Sequence, residues 1–271
     1  MNVLVTGGAG YIGSHTVRQL VAAGHHVVVL DSLELGHANA VIDAELVVGN
    51  INDLGLVTRT CRQHEITQLV HFAAYKAVGE SMQKPLRYWH NNVTGTSLLV
   101  QAATDGGVRN VVFSSSCSVY GNPPVVPVDE SAPIAPESVY AETKAMSERI
   151  LHWYDTTHGV SSVSLRYFNA AGASFDGRIG EDWAHAANLI PLVMKAALGA
   201  GPAVQVFGTD YPTPDGTGIR DYIHVTDLAD GHLRALRHLI DGGPSVALNL
   251  GTGSGYSVRE VIDTVERISG K

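Results

Sequence analysis

In SVYAETK, Ser138 to Lys144, a tyrosine and a lysine stand four residues apart. On a helix that spacing turns both side chains to one face. An ammonium beside a phenol favours phenolate, so the pair predicts a Tyr140 whose pKa falls from about 10 towards neutrality, a general base or acid for alcohol–ketone chemistry. The same spacing also arises by chance on ordinary helix surfaces, and position decides its weight. NVVFSS (residues 110–115) reads as a strand running into Ser116, which is expected to hydrogen-bond the same substrate oxygen as Tyr140. The proline-rich loop GNPPVVPVDESAPIAPES stiffens the connection from that strand to the tyrosine helix. Cys117, beside Ser116, reads as a small packed residue, because no histidine base is placed near it by sequence.

TGGAGYIG follows the first apolar run and opens the first helical pattern. Gly8, Gly10 and Gly13 satisfy a dinucleotide fingerprint, and Gly7, Gly10 and Gly13 satisfy a wider one. Either frame gives a tight turn, a backbone bare enough to meet a pyrophosphate, and a helix close to its strand. The anion then faces the amides near Tyr11 and Ile12. Glycines alone often do no more than permit a turn. Asp31, however, ends the second strand about eighteen residues beyond Gly13, where a carboxylate accepts ribose hydroxyls and repels a 2′-phosphate. No arginine follows in SLELGHANA, so the cofactor expected is NAD rather than NADP. Asn50, after the third strand, is placed to approach the adenine, although a polar residue at a strand end is also an ordinary loop feature.

The elements that must position these groups alternate. Apolar runs at residues 2–6, 26–31, 45–49, 68–72, 110–115 and 162–168 are separated by amphipathic stretches at 12–23, 53–64, 85–105 and 139–158. Strands separated by helices pair in parallel through right-handed crossovers, which makes the fold a doubly wound parallel α/β sheet of the Rossmann type. Residues 170–218 break that rhythm into Gly- and Pro-containing loops around one helical pattern, Leu189 to Leu198. The strand and helix style then returns. This predicts a cofactor-binding domain over residues 1–169, rejoined by 221–251, and a smaller C-terminal substrate-binding domain over 170–220 and 252–271.

Composition narrows the class further. Lys and Arg number 18 against 26 Asp and Glu, a formal charge of −8, with no basic block to track a phosphate backbone, so nucleic acid is not an expected partner. No apolar run approaches the roughly 20 residues of a membrane span, and the N-terminus does not read as a signal peptide, so a cytoplasmic address is expected. Cys61 and Cys117 form no disulfide framework, the 13 histidines are scattered, and no metal site is expected.

The chain resembles the extended short-chain dehydrogenase/reductases and, within them, the UDP-glucose (UDP-galactose) 4-epimerases. Besides TGGAGYIG and YAETK, the resemblance rests on HFAAYKAVGESMQKP (71–85), NNVTGT (91–96), SSSCSVYG (114–121), LRYFNAAGA (165–173) and FGTDYPTPDGTGIRDYIHVTDLADGH (207–232). It implies Tyr140 as proton acceptor, Lys144 holding the nicotinamide ribose, and Ser116 on the sugar 4-oxygen. Cofactor contacts are implied for Tyr11, Ile12, Asp31, Ser32, Asn50, Ile51, Phe72, Ala73, Lys76, Asn91 and Phe168. UDP-sugar contacts are implied for Asn169, Asn188, Leu189, Val206, Phe207 and Arg220, with Arg220 answering the diphosphate. Asn50 stands where the family usually has Asp. The family also continues beyond the equivalent of Lys271, so the substrate domain is expected to be C-terminally incomplete. The resemblance further implies interconversion of UDP-glucose and UDP-galactose and a homodimer formed through the helices at 85–105 and 139–158. A 4,6-dehydratase on the same fold needs an acid beside Ser116, where SSSCSVYG offers Cys117 and Ser118. A non-catalytic cofactor-binding module would not need the tyrosine–lysine pair, which is intact.

Overall fold

The computed structural model describes Met1–Lys271. Each apolar run of the sequence forms a strand, and the chain order is β1 (Asn2–Thr6), α1 (Tyr11–Ala22), β2 (His26–Asp31), β3 (Glu45–Val48), α2 (Leu54–Gln63), β4 (Gln68–His71), α3 (Val78–Gln83), α4 (Pro85–Tyr88), α5 (Gly95–Gly106), β5 (Asn110–Ser114), α6 (Val139–His158) and β6 (Ser161–Tyr167). The remainder comprises β7 (Asn169–Ala171), α7 (Leu189–Ala197), β8 (Ile219–Arg220), β9 (Tyr222–His224), α8 (Val225–Ile240), β10 (Val246–Leu250), β11 (Tyr256–Ser257) and α9 (Val258–Ser269).

Seven strands form one sheet in the order β3-β2-β1-β4-β5-β6-β10, and every neighbouring pair is parallel. The winding direction reverses beside β1, so a crevice opens between the carboxyl ends of β1 and β4. The strands are apolar at nearly every position because each feeds two cores. Leu4, Val28, Leu30, Leu69 and Phe113 face Val57, Leu99 and Val100 of α2 and α5. Val3, Val5, Val27, Val29, Val70 and Val163 face Val17 and Leu20 of α1 and Leu236 and Leu239 of α8. Burying each such side chain is worth about 1.5–3 kcal/mol, which fixes strand register and helix placement together.

Caps explain where the helices start. Asp53 accepts the Leu56 amide at 2.9 Å ahead of α2, Ser138 accepts the Ala141 amide at 3.2 Å ahead of α6, and Ser257 and Glu260 form a capping box on α9. No side chain caps α1 at Gly10.

The structure corrects the sequence in several places. The single helix expected from Pro85 to Asp105 is interrupted by a π-helical stretch, Trp89–Thr94, between α4 and α5. The wider turn carries the buried Asn92, which accepts the Tyr75 amide at 2.9 Å and donates to the Tyr75 carbonyl at 3.0 Å and the Thr143 hydroxyl at 3.1 Å. The segment expected to be loops around one helix also holds most of β7, which pairs in parallel with β9, and just beyond that segment β8 pairs antiparallel with β11. β10, where the strand style of the sequence returns as expected, is the seventh strand of the main sheet, beside β6. No helix is long and apolar enough to cross a membrane.

Candidate active site

Ser138 fixes the start of α6, which puts Tyr140 in its first turn and Lys144 one turn on. Lys144 is only 4% exposed, and its ammonium donates to the carbonyl of Ser114, the last residue of β5, at 2.6 Å. The same nitrogen lies 5.9 Å from the Tyr140 ring centroid and 4.8 Å from that of Phe113. Ser116 follows β5 in extended conformation, and its oxygen accepts from the Ser118 amide at 3.2 Å and the Ser118 hydroxyl at 2.9 Å. The three residues that the sequence marked for chemistry therefore meet at the carboxyl edge of the sheet.

Their electrostatics differ from expectation. Lys144 does not lower Tyr140: burial raises the phenol above its ordinary value, Tyr167 adds to the rise, and the nearby Ser116 hydroxyl opposes it. Burial also brings Lys144 down to about 7, with Glu148 pulling it back up. The common cause is desolvation, which penalises phenolate and ammonium alike, while the nearest partner of Lys144 is a carbonyl. Cys117 has its thiol raised to about 11, again by burial first, in keeping with a packed rather than reactive residue.

Glu148, one turn beyond Lys144, is a site residue that sequence reasoning passed over. Arg166 of β6 grips it with two hydrogen bonds, at 2.9 and 2.6 Å, and the Ser115 hydroxyl donates to it as well. Arg166 also donates to the Tyr120 hydroxyl at 2.8 Å. The carboxylate thus ties the Ser115–Ser116 segment to α6 and β6. Its signal was legible, since 144 and 148 repeat the same four-residue spacing as 140 and 144.

The glycine turn follows β1 at the crevice. Gly7 has φ +74°, and a Cβ there would lie 2.6 Å from the Ala73 amide. A Cβ on Gly13 would come within 2.2 Å of the Gly7 carbonyl, so Gly13 lets α1 pack on the turn. At Gly10 the only contact would be 3.3 Å to the same oxygen, leaving its outer side open. The first amides of α1, at Tyr11 and Ile12, lack both intrahelical partners and a cap, a donor set suited to a pyrophosphate. Asp31, 8% exposed, accepts the Ala9 amide at 3.0 Å on one oxygen and the Leu33 amide at 2.9 Å on the other, which leaves a lone pair on each for a ribose. These features fit a dinucleotide.

The remaining expected cofactor residues lie around the same edge. Ser32 is exposed after β2, and the exposed Asn50 accepts the Asn52 amide at 2.9 Å beside buried Ile51. Phe72 and Ala73 follow β4, and the Phe72 ring centroid is 4.6 Å from that of His232. Asn91 lies in the π-helical stretch and donates to Asn92 at 3.0 Å, and Phe168 is partly buried between β6 and β7. Lys76 faces Glu181 at 3.3 Å. That contact is one of four tying residues 172–182 across the crevice. Tyr11 donates to the Gly172 carbonyl at 2.6 Å, Arg18 to Asp176 at 3.0 Å, and His37 meets Asp182 at 2.9 Å.

A separate cavity of about 640 Å³ is lined by all six expected substrate residues, Asn169, Asn188, Leu189, Val206, Phe207 and Arg220, together with Tyr211 and Tyr222. The Arg220 guanidinium forms no ion pair there and donates to the Ile219 carbonyl at 2.7 Å, so most of its fork is open to an anion.

A parallel sheet with a glycine turn at its switch point and a tyrosine–lysine pair on the neighbouring wall is the arrangement of the short-chain dehydrogenase/reductases. Within that class the chain belongs to the NAD dependent epimerase/dehydratase family, which matches residues 3–251. It is 50% identical to the UDP-glucose 4-epimerase of Rhizobium meliloti over 268 residues, 99% of this chain and 82% of the other. The crystal structure of UDP-glucose 4-epimerase from Brucella ovis in complex with NAD is similar with a TM-score of 0.96 at 45% identity, covering 98% of this chain and 82% of that one. The Bifidobacterium longum enzyme in complex with NAD+ and UDP gives 0.91 at 38% identity, covering 100% and 84%.

Proposed function

We infer that this protein interconverts UDP-glucose and UDP-galactose by transient, NAD-dependent oxidation at sugar C4. The observation that carries the reading is the meeting of Ser116, Tyr140 and Lys144 at the carboxyl edge. The naming of its relatives as UDP-glucose 4-epimerases supports the substrate class. NAD, when bound, supplies a reversible hydride acceptor and a positive charge that favours phenolate. Tyr140 takes the proton of the C4 hydroxyl and gives it back to the same oxygen as the hydride returns to C4 from the other face of the 4-keto sugar. A phenol held above its ordinary pKa is a strong base once ionised and gives the proton back only to a stronger one. Ser116 holds the same oxygen, and Lys144 holds the nicotinamide ribose.

Gly7, Gly10, Tyr11, Ile12 and Gly13 receive the pyrophosphate, and Asp31 the adenosine ribose. Ser32, Asn50, Ile51, Phe72, Ala73, Lys76, Asn91 and Phe168 complete the cofactor surface. Arg220 binds the diphosphate, with Asn169, Asn188, Leu189, Val206 and Phe207 around the rest of the UDP-sugar. The cavity's size supports this, since pockets for ligands of this kind run to about 300–1,000 Å³. The pairing of β10 with β6 supports a cofactor-binding unit of residues 1–169 with 221–251, and the β8–β11 pair supports a substrate unit of 170–220 with 252–271. Galactose metabolism, a cytoplasmic location and a homodimer complete the reading. The free thiols Cys61 and Cys117 are in keeping with a reducing compartment.

Tyr140→Phe tests the assignment by removing only the titrating hydroxyl. Turnover of UDP-galactose is expected to fall by about 10²–10⁴-fold with the bound nicotinamide cofactor retained. A variant as fast as the parent overturns the reading.

A further inference from the structure

We propose that His26, Glu45 and His64 form a binding site for one divalent transition-metal ion of the zinc type, at the amino-terminal edge of the sheet and apart from the candidate active site. The three are far apart in sequence, and strand register brings them together. β2 and β3 pair with Val28 opposite Glu45, so His26, two residues before Val28, shares a face with Glu45 as its diagonal neighbour. α2 covers that face and ends at His64, whose side chain folds back over the start of both strands. The ligand atoms of all three lie within 4.8 Å of one another.

The chemistry suits a borderline cation. Two imidazole nitrogens and one carboxylate oxygen, with a fourth position left to water, are a common donor set for zinc and bind nickel or copper as well. Magnesium and calcium prefer shells made of oxygen and are poorly served. Tetrahedral bonds of about 2.0–2.1 Å separate ligand atoms by about 3.3 Å. His64 Nε2 and Glu45 Oε1 already stand 3.4 Å apart. The two imidazole centroids are 5.9 Å apart and tilted by 35°, a geometry that rotation of the exposed His26 side chain closes onto a shared ion.

The site is also held in place. Asn2 of β1 donates to the carbonyls of His64 and Glu65 at 2.8 and 3.3 Å, and the His64 amide bonds Thr60 at 3.1 Å. His64 is the C-cap of α2, where the helix dipole presents negative potential to a cation. No hydrogen bond engages any of the three side chains, so their polar atoms are free to ligate. An ion there ties the edge strand β3 to β2 and to α2, and stabilises the fold by mass action.

The test uses the tag-free protein, stripped with a chelator and titrated with zinc chloride. One saturable site with a micromolar or tighter Kd is expected. His26→Gln, Glu45→Gln and His64→Ala should each weaken it at least about tenfold, and His90→Ala should leave it unchanged. Zinc should raise Tm by about 3 °C or more in the parent and not in His26→Gln, an exposed substitution that the fold tolerates. Absence of a saturable site below about 1 mM overturns the proposal, as does a site that survives either histidine substitution.

Discussion

Lys144 carries an ammonium into a position that water scarcely reaches, and Glu148 is the group that lifts its pKa against burial. If the ammonium is the working form, neutralising Glu148 lets burial act unopposed, and Lys144 loses its proton at a lower pH. Glu148→Gln is therefore expected to move the alkaline limb of the kcat profile down by about one pH unit or more, with the acid limb unmoved. The single variant also leaves the Arg166 guanidinium buried without its partner, which costs about 3–5 kcal/mol in stability. Pairing it with Arg166→Met removes that cost and separates the two effects. A pH profile unchanged in both variants contradicts the coupling. The phenol itself shows the limit of reading side chains in isolation. The four-residue spacing of Tyr140 and Lys144 was legible, but the sign of the tyrosine's shift was not, because it depends on how completely the fold buries both groups.

Among the elements, the strand-turn-helix at the start of the chain separates two jobs that one glycine pattern performs. Gly13 is a packing glycine, and alanine there drives a methyl group into the Gly7 carbonyl. A Cβ on Gly10 would meet that oxygen at 3.3 Å and would otherwise be open towards the crevice. Gly13→Ala is expected to lower stability by about 2 kcal/mol or more, whereas Gly10→Ala should keep a near-parental Tm and lose most of its retained nicotinamide cofactor. Thermal unfolding and cofactor release on denaturation check both. Equal retention in Gly10→Ala and the parent contradicts the assignment. The strands were legible because both faces of the sheet are covered, which leaves the apolar run unbroken. The π-helical turn at Trp89–Thr94 was not, since Asn92 finds its partners on Tyr75 and Thr143, far along the chain. Nor were β7 to β9, which at two or three residues are too short to carry a period. The six residues of the substrate cavity came from resemblance, because no local pattern links Asn169 or Asn188 to Arg220.

For the molecule as a whole, α6 leaves Met146 and Trp153 exposed at 39% and 59%, and Leu86 of α4 is exposed at 78%. Met146 and Trp153 are seven residues apart and share one helix face, which supports the proposed homodimer. Sedimentation is expected to give twice the chain mass of 28.7 kDa, and Met146→Glu combined with Trp153→Glu to give the monomer. A monomeric parent contradicts the dimer. Oxidation and re-reduction of C4 within one site are tested with UDP-galactose deuterated at C4. UDP-glucose with the deuterium still at C4 and none lost to water is expected, without added cofactor. Deuterium appearing at C6, as a 4,6-dehydratase would place it, or washed out to solvent, would contradict it.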